Sequence, residues 1–156
     1  MNIFVTSSCP EKSAIRLWKN PIRARKMITE SQQLLAVYIH EKQLEEQILK
    51  VNGEKFSIPK SVLGHKITKW LLKNKLHFEW LVDHLEYLYN QYNGNGFKNV
   101  KNNINILRKY TSDNYEGKYN NIIFYNYAAA KDKNLDFRNV KNVFKAYDLY
   151  LKAQDS

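Results

Sequence analysis

Residues 20–39 read NPIRARKMITESQQLLAVYI, and this stretch predicts an amphipathic helix. Asn20 is a favourable N-cap, and Pro21 suits the first helical position, where its missing N–H would have no helical partner. Small and apolar side chains then recur every three or four residues and predict one buried face, made of Ala24, Met27, Ile28, Ser31, Leu34, Leu35 and Tyr38. The same period reaches Leu44 and Ile48, which leaves a longer helix open.

Similar patterns predict further helices on both sides of this segment. These helices are expected over residues 10–18, 61–72 (opened by Ser61 or His65), 74–92, 100–110 and 140–151. Asn52-Gly53 marks a turn, and residues 111–136 show no clear period. The expected fold class is therefore all-α, a single compact helical domain over residues 1–156 with long irregular connections.

The charge balance is the most informative part of the composition. The chain has 156 residues, with 25 Lys and Arg against 15 Asp and Glu, and a formal net charge of +10. A chain this basic attracts polyanions, and DNA or RNA is the first candidate, ahead of an anionic membrane surface or an acidic protein. Cys9 stands alone, so a reducing compartment fits. No apolar run suits a signal peptide or a membrane span, so we expect an intracellular protein with no membrane partner.

Sequence motifs for cofactors and metals are not found. The chain has no P-loop and no GxGxxG, so no nucleotide cofactor is expected. His40, His65, His77 and His84 lack the close spacing of metal ligands, so no metal site is expected. The tyrosines of the irregular region are the better candidates for stacking on nucleic-acid bases: Tyr115, Tyr119, Tyr125 and Tyr127.

A carboxylate among cations lies on the polar face of the helix that begins at Pro21. At about 100° per residue, Arg23, Lys26 and Glu30 lie on one side, together with Gln33. One interpretation is a solvated face with a Lys26–Glu30 pair. The other is a carboxylate held in a polyanion-binding groove by neighbours that also bind phosphates. The periodicity leaves both open.

Three blocks of the chain resemble a group of small phage proteins. The first block contains MNIFV, CPEKSA and RARKMITESQQLLA, where that group has a D-K-R/H-V-V-K-M-I-L-E-x-A-Q helix. The second is KSVLGHKITKW followed by NKLHFEWLVDHLEYL, and the third is VKNVFKAYDLYLK. More distantly, the seven-residue spacing of Arg23 and Glu30, with Leu63-Gly64-His65, resembles the phage pyrimidine-dimer DNA glycosylase and AP lyase family, to which endonuclease V of T-even phages belongs.

The resemblance implies an amine-based lyase. In that family the N-terminal α-amine attacks C1′ of the damaged nucleotide to form a Schiff base, and a glutamate assists sugar opening and β-elimination. An α-amine suits this step because its ordinary pKa of about 7.7–8.0 leaves an unprotonated fraction near neutrality. Carried over to this chain, Glu30 is the general base and the counterion of the iminium. Met1 supplies the amine, since Asn2 is too large for efficient removal of Met1, or the lyase role passes to Lys26.

The same resemblance implies which cations bind DNA. Arg23 and Lys26 would hold the phosphates beside the scissile nucleotide, and the candidate helpers are Arg16, Arg25, Lys60, His65, Lys66 and Lys69. The chain ends KAQDS, without the aromatic basic tail with which that family engages the pyrimidine dimer, so cleavage at abasic sites is expected. A uracil-DNA glycosylase creates such sites and is therefore an expected partner.

The expected function is thus that of a phage DNA-repair or DNA-processing enzyme, active in the host cytoplasm, that nicks DNA at abasic or damaged-base sites. One alternative is a non-catalytic phage protein that binds DNA or a host DNA-repair or defence protein, with salt-sensitive binding and no strand cleavage. Another is metal-dependent hydrolysis at the abasic site, which the scattered acidic residues do not favour.

Overall fold

The computed structural model describes residues 2–155, in which seven α-helices form most of the regular structure. They are α1 Pro10–Leu17, α2 Pro21–Glu41, α3 Lys60–Leu63, α4 Lys66–Lys73, α5 Lys75–Asn90, α6 Val100–Arg108 and α7 Val143–Asp155. A small antiparallel ladder pairs β1 Ala129–Ala130 with β2 Leu135–Asp136. The all-α fold class predicted from the sequence is confirmed.

Helix α5 lies at the centre of the core, where it contacts α1, α2, α4 and α6. Phe78 of α5 is fully buried and stacks on Tyr38 of α2, with the ring centroids 4.0 Å apart. Trp80, also fully buried, donates its indole N–H to the Ser8 carbonyl at 2.8 Å. The predicted apolar stripe of α2 is buried along its whole length, which confirms its amphipathic interpretation.

Asparagine caps begin the two longest helices where the sequence predicts them. Asn20 Oδ1 accepts the backbone N–H of Arg23 at 3.3 Å, immediately before Pro21. Asn74 Oδ1 accepts the N–H of Leu76 at 2.9 Å, and Asn74 also ends α4. Each bond satisfies one N–H that the first helical turn leaves without a partner.

The continuation of α2 through Leu44 and Ile48 is wrong, because α2 ends at Glu41. Gln43 adopts a left-handed conformation with φ of 53°, and its N–H donates to the His40 carbonyl at 3.1 Å. The Leu44 N–H donates to the Ile39 carbonyl at 3.0 Å, so the two bonds together form a Schellman motif. A glycine usually marks that motif, and none occurs here.

Residues 60–73 form two helices where the sequence predicts one, and of the two predicted openings, Ser61 and His65, the second agrees with the start of α4. Gly64 ends α3, and His65 caps α4 by accepting the Ile67 N–H on Nδ1 at 3.2 Å. His65 itself has an extended backbone, which separates the two helices.

The irregular residues 111–142 are held against the helices by hydrogen bonds to their backbone. The indole N–H of Trp70 donates to the Ile123 carbonyl at 2.9 Å. The N–H of Tyr127 donates to the Tyr147 hydroxyl of α7 at 3.1 Å. Helix α7 begins at Val143 rather than at residue 140, because Asn142 Oδ1 accepts the N–H groups of the first turn.

A neutral histidine lies in the core beneath α1. His84 is fully buried, and its Nδ1 lies 3.2 Å from the Pro10 carbonyl. Its Nε2 has no hydrogen-bond partner among residues 2–155, and its ring stacks on that of Trp80, with the centroids 4.8 Å apart. Burial lowers the pKa of His84 from 6.5 to about 4, although the bond to Pro10 acts in the opposite direction. His77 is also buried.

We expect stability to fall as the pH decreases from 6.5 towards 4. The pKa of His84 is about 4 in the native state and near 6.5 in the unfolded chain, so the unfolded chain binds the proton first. The loss from His84 should reach about 2–3 kcal/mol at pH 4.5, and burial lowers the pKa of His77 in the same direction. The free energies of unfolding from urea denaturation at pH 7.0 and pH 4.5 measure this loss of stability. Equal losses in the wild type and in His84→Asn would contradict the assignment.

Candidate active site

A cavity of about 620 Å³ opens where α2, the α3–α4 turn, the amino-terminal segment and residues 127–138 meet. Its volume falls within the range of small-molecule sites, about 300–1,000 Å³. The residues that line it are Asn2, Phe4, Arg23, Lys26, Met27, Glu30, Ser61, Gly64, His65, Lys66, Tyr127, Ala129, Arg138 and Tyr150. Among the described residues, its charged lining therefore comprises four basic side chains and one carboxylate.

Helix α2 supplies the carboxylate and two of the cations. Arg23, Lys26 and Glu30 lie three and four residues apart, so the helical period directs them to the same side, as predicted. Glu30 is half-buried and Lys26 is exposed. Within residues 2–155, no ion pair joins Lys26 to Glu30, so the surface pair considered as an alternative does not form. Gln33 lies outside the cavity and donates to the Ser57 carbonyl at 2.6 Å.

Arg23 is oriented by the carboxyl-terminal helix. Its Nη2 lies 3.0 Å from Asp155 Oδ1, and Asn20 Nδ2 donates to the same oxygen at 3.0 Å. The guanidinium also lies over the Phe4 ring, 5.0 Å from the centroid. Asp155 therefore compensates the charge of Arg23, and a phosphate would have to share or displace this contact.

The amino-terminal segment forms one wall of the cavity. Asn2 Nδ2 donates to the Tyr127 carbonyl at 3.3 Å, and Asn2 Oδ1 accepts the Phe4 N–H at 3.3 Å. Phe4 has a left-handed φ of 50° and stacks on Tyr150 at 5.7 Å. These bonds hold Asn2 and Phe4 at the wall of the cavity that Glu30 also lines. Met1, the predicted nucleophile, lies outside the described residues.

His65 contributes a neutral imidazole to the lining. Burial, together with the nearby charge of Lys66, lowers the pKa of His65 below its ordinary value. Since Nδ1 accepts the Ile67 N–H, the proton of the neutral ring resides on Nε2. His65 can therefore donate one hydrogen bond near neutral pH.

The predicted DNA-binding residues divide into two groups. Arg23, His65 and Lys66 line the cavity with Lys26 and Glu30, although α2 and α4 are separate in the sequence. The others lie outside it, and they are Arg16, Arg25, Lys60 and Lys69. Arg16 is bonded to Asp148 of α7 at 2.6 Å with its side chain 14% exposed, whereas Arg25, Lys60 and Lys69 are exposed.

Sequence reasoning missed several lining residues. Arg138 lies far from α2 in the sequence and is paired with Asp136, with Nη2 2.7 Å from Oδ2. Phe4 and Tyr150 lie almost the full chain length apart. Sequence spacing does not predict such contacts, because only the tertiary packing brings these distant residues together.

The comparisons with known proteins add no family or fold assignment. No family model matches the chain, and no curated protein or solved structure shows significant similarity to it. Within residues 2–155, no three His, Cys, Asp or Glu side chains cluster as metal ligands would, and no helix is long and apolar enough to cross a membrane. The functional interpretation therefore rests on the residues that line the cavity.

Proposed function

We propose that this protein is a phage-encoded DNA lyase that nicks DNA at abasic sites in the host cytoplasm. The observation that carries the proposal is that Glu30, Lys26 and Asn2 line one cavity. In the proposed mechanism Met1 supplies the α-amine, and its sequence neighbour Asn2 shares the cavity with the carboxylate of Glu30. An amine and a carboxylate are the two groups that Schiff-base cleavage of an abasic site requires.

The reaction proceeds through the open-chain aldehyde of the abasic sugar. An unprotonated amine attacks C1′, and loss of water leaves an iminium between the nitrogen and C1′. The iminium acidifies the C2′ hydrogen, and a base removes that proton. The electron pair then expels the 3′ phosphate in a β-elimination, which cuts the strand. Water hydrolyses the iminium and returns the amine.

Two amines are candidates for the nucleophile. The α-amine of Met1 belongs to a class whose ordinary pKa is about 7.7–8.0, so part of it is unprotonated at neutral pH. Lys26 lies one helical turn before Glu30, and its side chain makes no hydrogen bond or ion pair within residues 2–155. Substituting Lys26 and blocking the α-amine, one at a time, identifies which amine is the nucleophile.

Glu30 is proposed as the base for C2′ and as the counterion of the iminium. Its carboxylate lines the cavity and has no hydrogen-bond or ion-pair partner within residues 2–155, so no such partner has to be displaced before a proton is transferred. A general base of this kind typically contributes a factor of about 10²–10⁴ to the rate.

The cations of the cavity are proposed to hold the phosphates that flank the abasic sugar. Lys26 and Lys66 form no ion pair within residues 2–155, so their charges are available. Arg23 and Arg138 already contact Asp155 and Asp136 and would exchange or share these partners. Extrusion of the sugar into the cavity is easiest at a base-less site, where no base pair has to be broken.

A uracil-DNA glycosylase is proposed as the enzyme that supplies the substrate. It releases uracil and leaves the abasic sugar in duplex DNA. Uracil-containing duplex should therefore be nicked only after the glycosylase has acted.

Borohydride trapping tests the proposal directly. Incubating the protein with abasic duplex and borohydride should reduce the iminium to a stable covalent adduct, seen as a shifted band. Loss of the adduct in Lys26→Gln would assign the amine to Lys26. Persistence in Lys26→Gln with loss after blocking of the α-amine would assign it to Met1.

The other functions give different results in the same assay. DNA binding that weakens with salt, with neither adduct nor nicking, would overturn the lyase and favour the non-catalytic alternative. Nicking that stops in EDTA and leaves a 3′ hydroxyl, without an adduct, would indicate metal-dependent hydrolysis. Nicking that persists in EDTA and leaves the unsaturated aldehyde supports β-elimination.

A further inference from the structure

One face of α4 carries three lysines. Lys66, Lys69 and Lys73 lie three and four residues apart and are all exposed, so they form a row along the helix. The buried side of the same helix is formed by Ile67 and Trp70, among others. No ion pair within residues 2–155 includes any of the three lysines.

An irregular segment with tyrosines runs beside this row. Phe124 is buried with its ring 5.5 Å from that of Trp70, which fixes the segment against α4. Tyr125 is 39% exposed, and Tyr127 is half-buried at the cavity. Their ring centroids are 6.2 Å apart.

Two of the three lysines, Lys66 and Lys73, contact the tyrosines. Lys73 Nζ donates to the Tyr125 hydroxyl at 3.1 Å. Lys66 Nζ lies 5.4 Å from the centroid of the Tyr127 ring. We call Lys66, Lys69, Lys73, Tyr125 and Tyr127 the lysine–tyrosine track. It begins at the cavity, because Lys66 and Tyr127 belong to both.

The two chain segments that supply the lysine–tyrosine track contain no acidic residue. Residues 55–78 and residues 117–131 contain no Asp or Glu. The track therefore combines lysines that form no ion pair within residues 2–155 with aromatic rings, which is the composition of surfaces that bind single-stranded nucleic acid.

We propose that the lysine–tyrosine track binds a single strand of DNA that leads away from the cavity. The lysines would contact successive phosphates, and Tyr125 would stack on an unpaired base. A duplex hides the faces of its bases in its own stack, so phosphate contacts alone would leave the rings without a role. This inference rests on the proposed function only in placing the abasic sugar in the cavity, and it implies that the preferred DNA is unpaired on one side of that sugar.

Anisotropy titration of fluorescent oligothymidylate, compared with a duplex of equal length, tests the inference. Stacking on an aromatic side chain is worth about 1–3 kcal/mol per base, so Tyr125→Leu should weaken oligothymidylate binding by about 5-fold to 150-fold and leave duplex binding nearly unchanged. Lys69→Gln should make the negative slope of log binding constant against log salt concentration less steep by about 0.7. Lys101→Gln on α6 is the matched control for Lys69→Gln, and Tyr115→Leu, at the other exposed tyrosine among the stacking candidates, shows whether the loss is specific to the track.

The outcomes separate this inference from the proposed lyase. Oligothymidylate binding that is equal in the wild type and in Tyr125→Leu, or equally weakened in Tyr115→Leu, would overturn the track, even if the borohydride adduct forms. Tight binding that depends on Tyr125, with no adduct on abasic DNA, would support the track and overturn the lyase. Near-native circular dichroism of Tyr125→Leu shows that the comparison is made on folded protein.

Discussion

Replacing Glu30 with Gln is expected to reduce single-turnover nicking at an abasic site by about 100-fold to 10,000-fold. The substitution keeps the size and shape of the side chain but removes the base that takes the C2′ proton, and general bases typically contribute this factor. DNA affinity should stay the same or increase, because a negative charge is removed from a cavity lined by four basic side chains. Rapid-quench kinetics with enzyme in excess, alongside a binding titration, measures both quantities.

Glu45→Gln is the matched control for this prediction. It makes the same chemical change and the same change in net charge at an exposed residue that does not line the cavity. Its nicking rate should equal that of the wild type. A Glu30→Gln variant that nicks at the wild-type rate would remove Glu30 from the mechanism, whatever the identity of the amine.

Replacing Glu79 with Ala is expected to destabilise the protein by about 3–5 kcal/mol, because it leaves Lys118 as an unpaired buried charge. The two side chains are 3% and 2% exposed, with Lys118 Nζ 3.3 Å from Glu79 Oε1. The same oxygen accepts the Ser112 hydroxyl at 2.7 Å and the Ser112 N–H. Burial alone would raise the pKa of Glu79, but the bonds from Ser112 and the charge of Lys118 hold it below its ordinary value.

The loss should appear as a lower urea midpoint with an unchanged m-value. Asp136→Asn is the control, because it breaks an ion pair whose side chains are half exposed, and such pairs add little. The double variant Glu79→Leu with Lys118→Met should lose less than Glu79→Ala, since neither charge is then buried alone. Wild-type stability in Glu79→Ala would show that Lys118 reaches solvent or finds another partner.

Local sequence signals predicted the main helices because their causes are local. Asn20 and Asn74 each cap the turn that follows them, and an apolar period of three to four residues identifies the buried face of α2. The end of α2 was not predictable in this way, because Gln43 takes the left-handed position that a glycine usually marks.

The helical period alone places Arg23, Lys26 and Glu30 on one face of α2, so the order of the residues is enough to group them. Tertiary packing, and not the helical period, brings the other residues to the cavity. These are His65 and Lys66 at the start of α4, Arg138 after the ladder, and Asn2 near the start of the chain. Packing also brings Asp155 to Arg23. The two kinds of contact differ because helical periodicity acts over a few residues, whereas the long-range contacts depend on how α2 and α4 pack against α5 and on how α7 packs against the irregular segments.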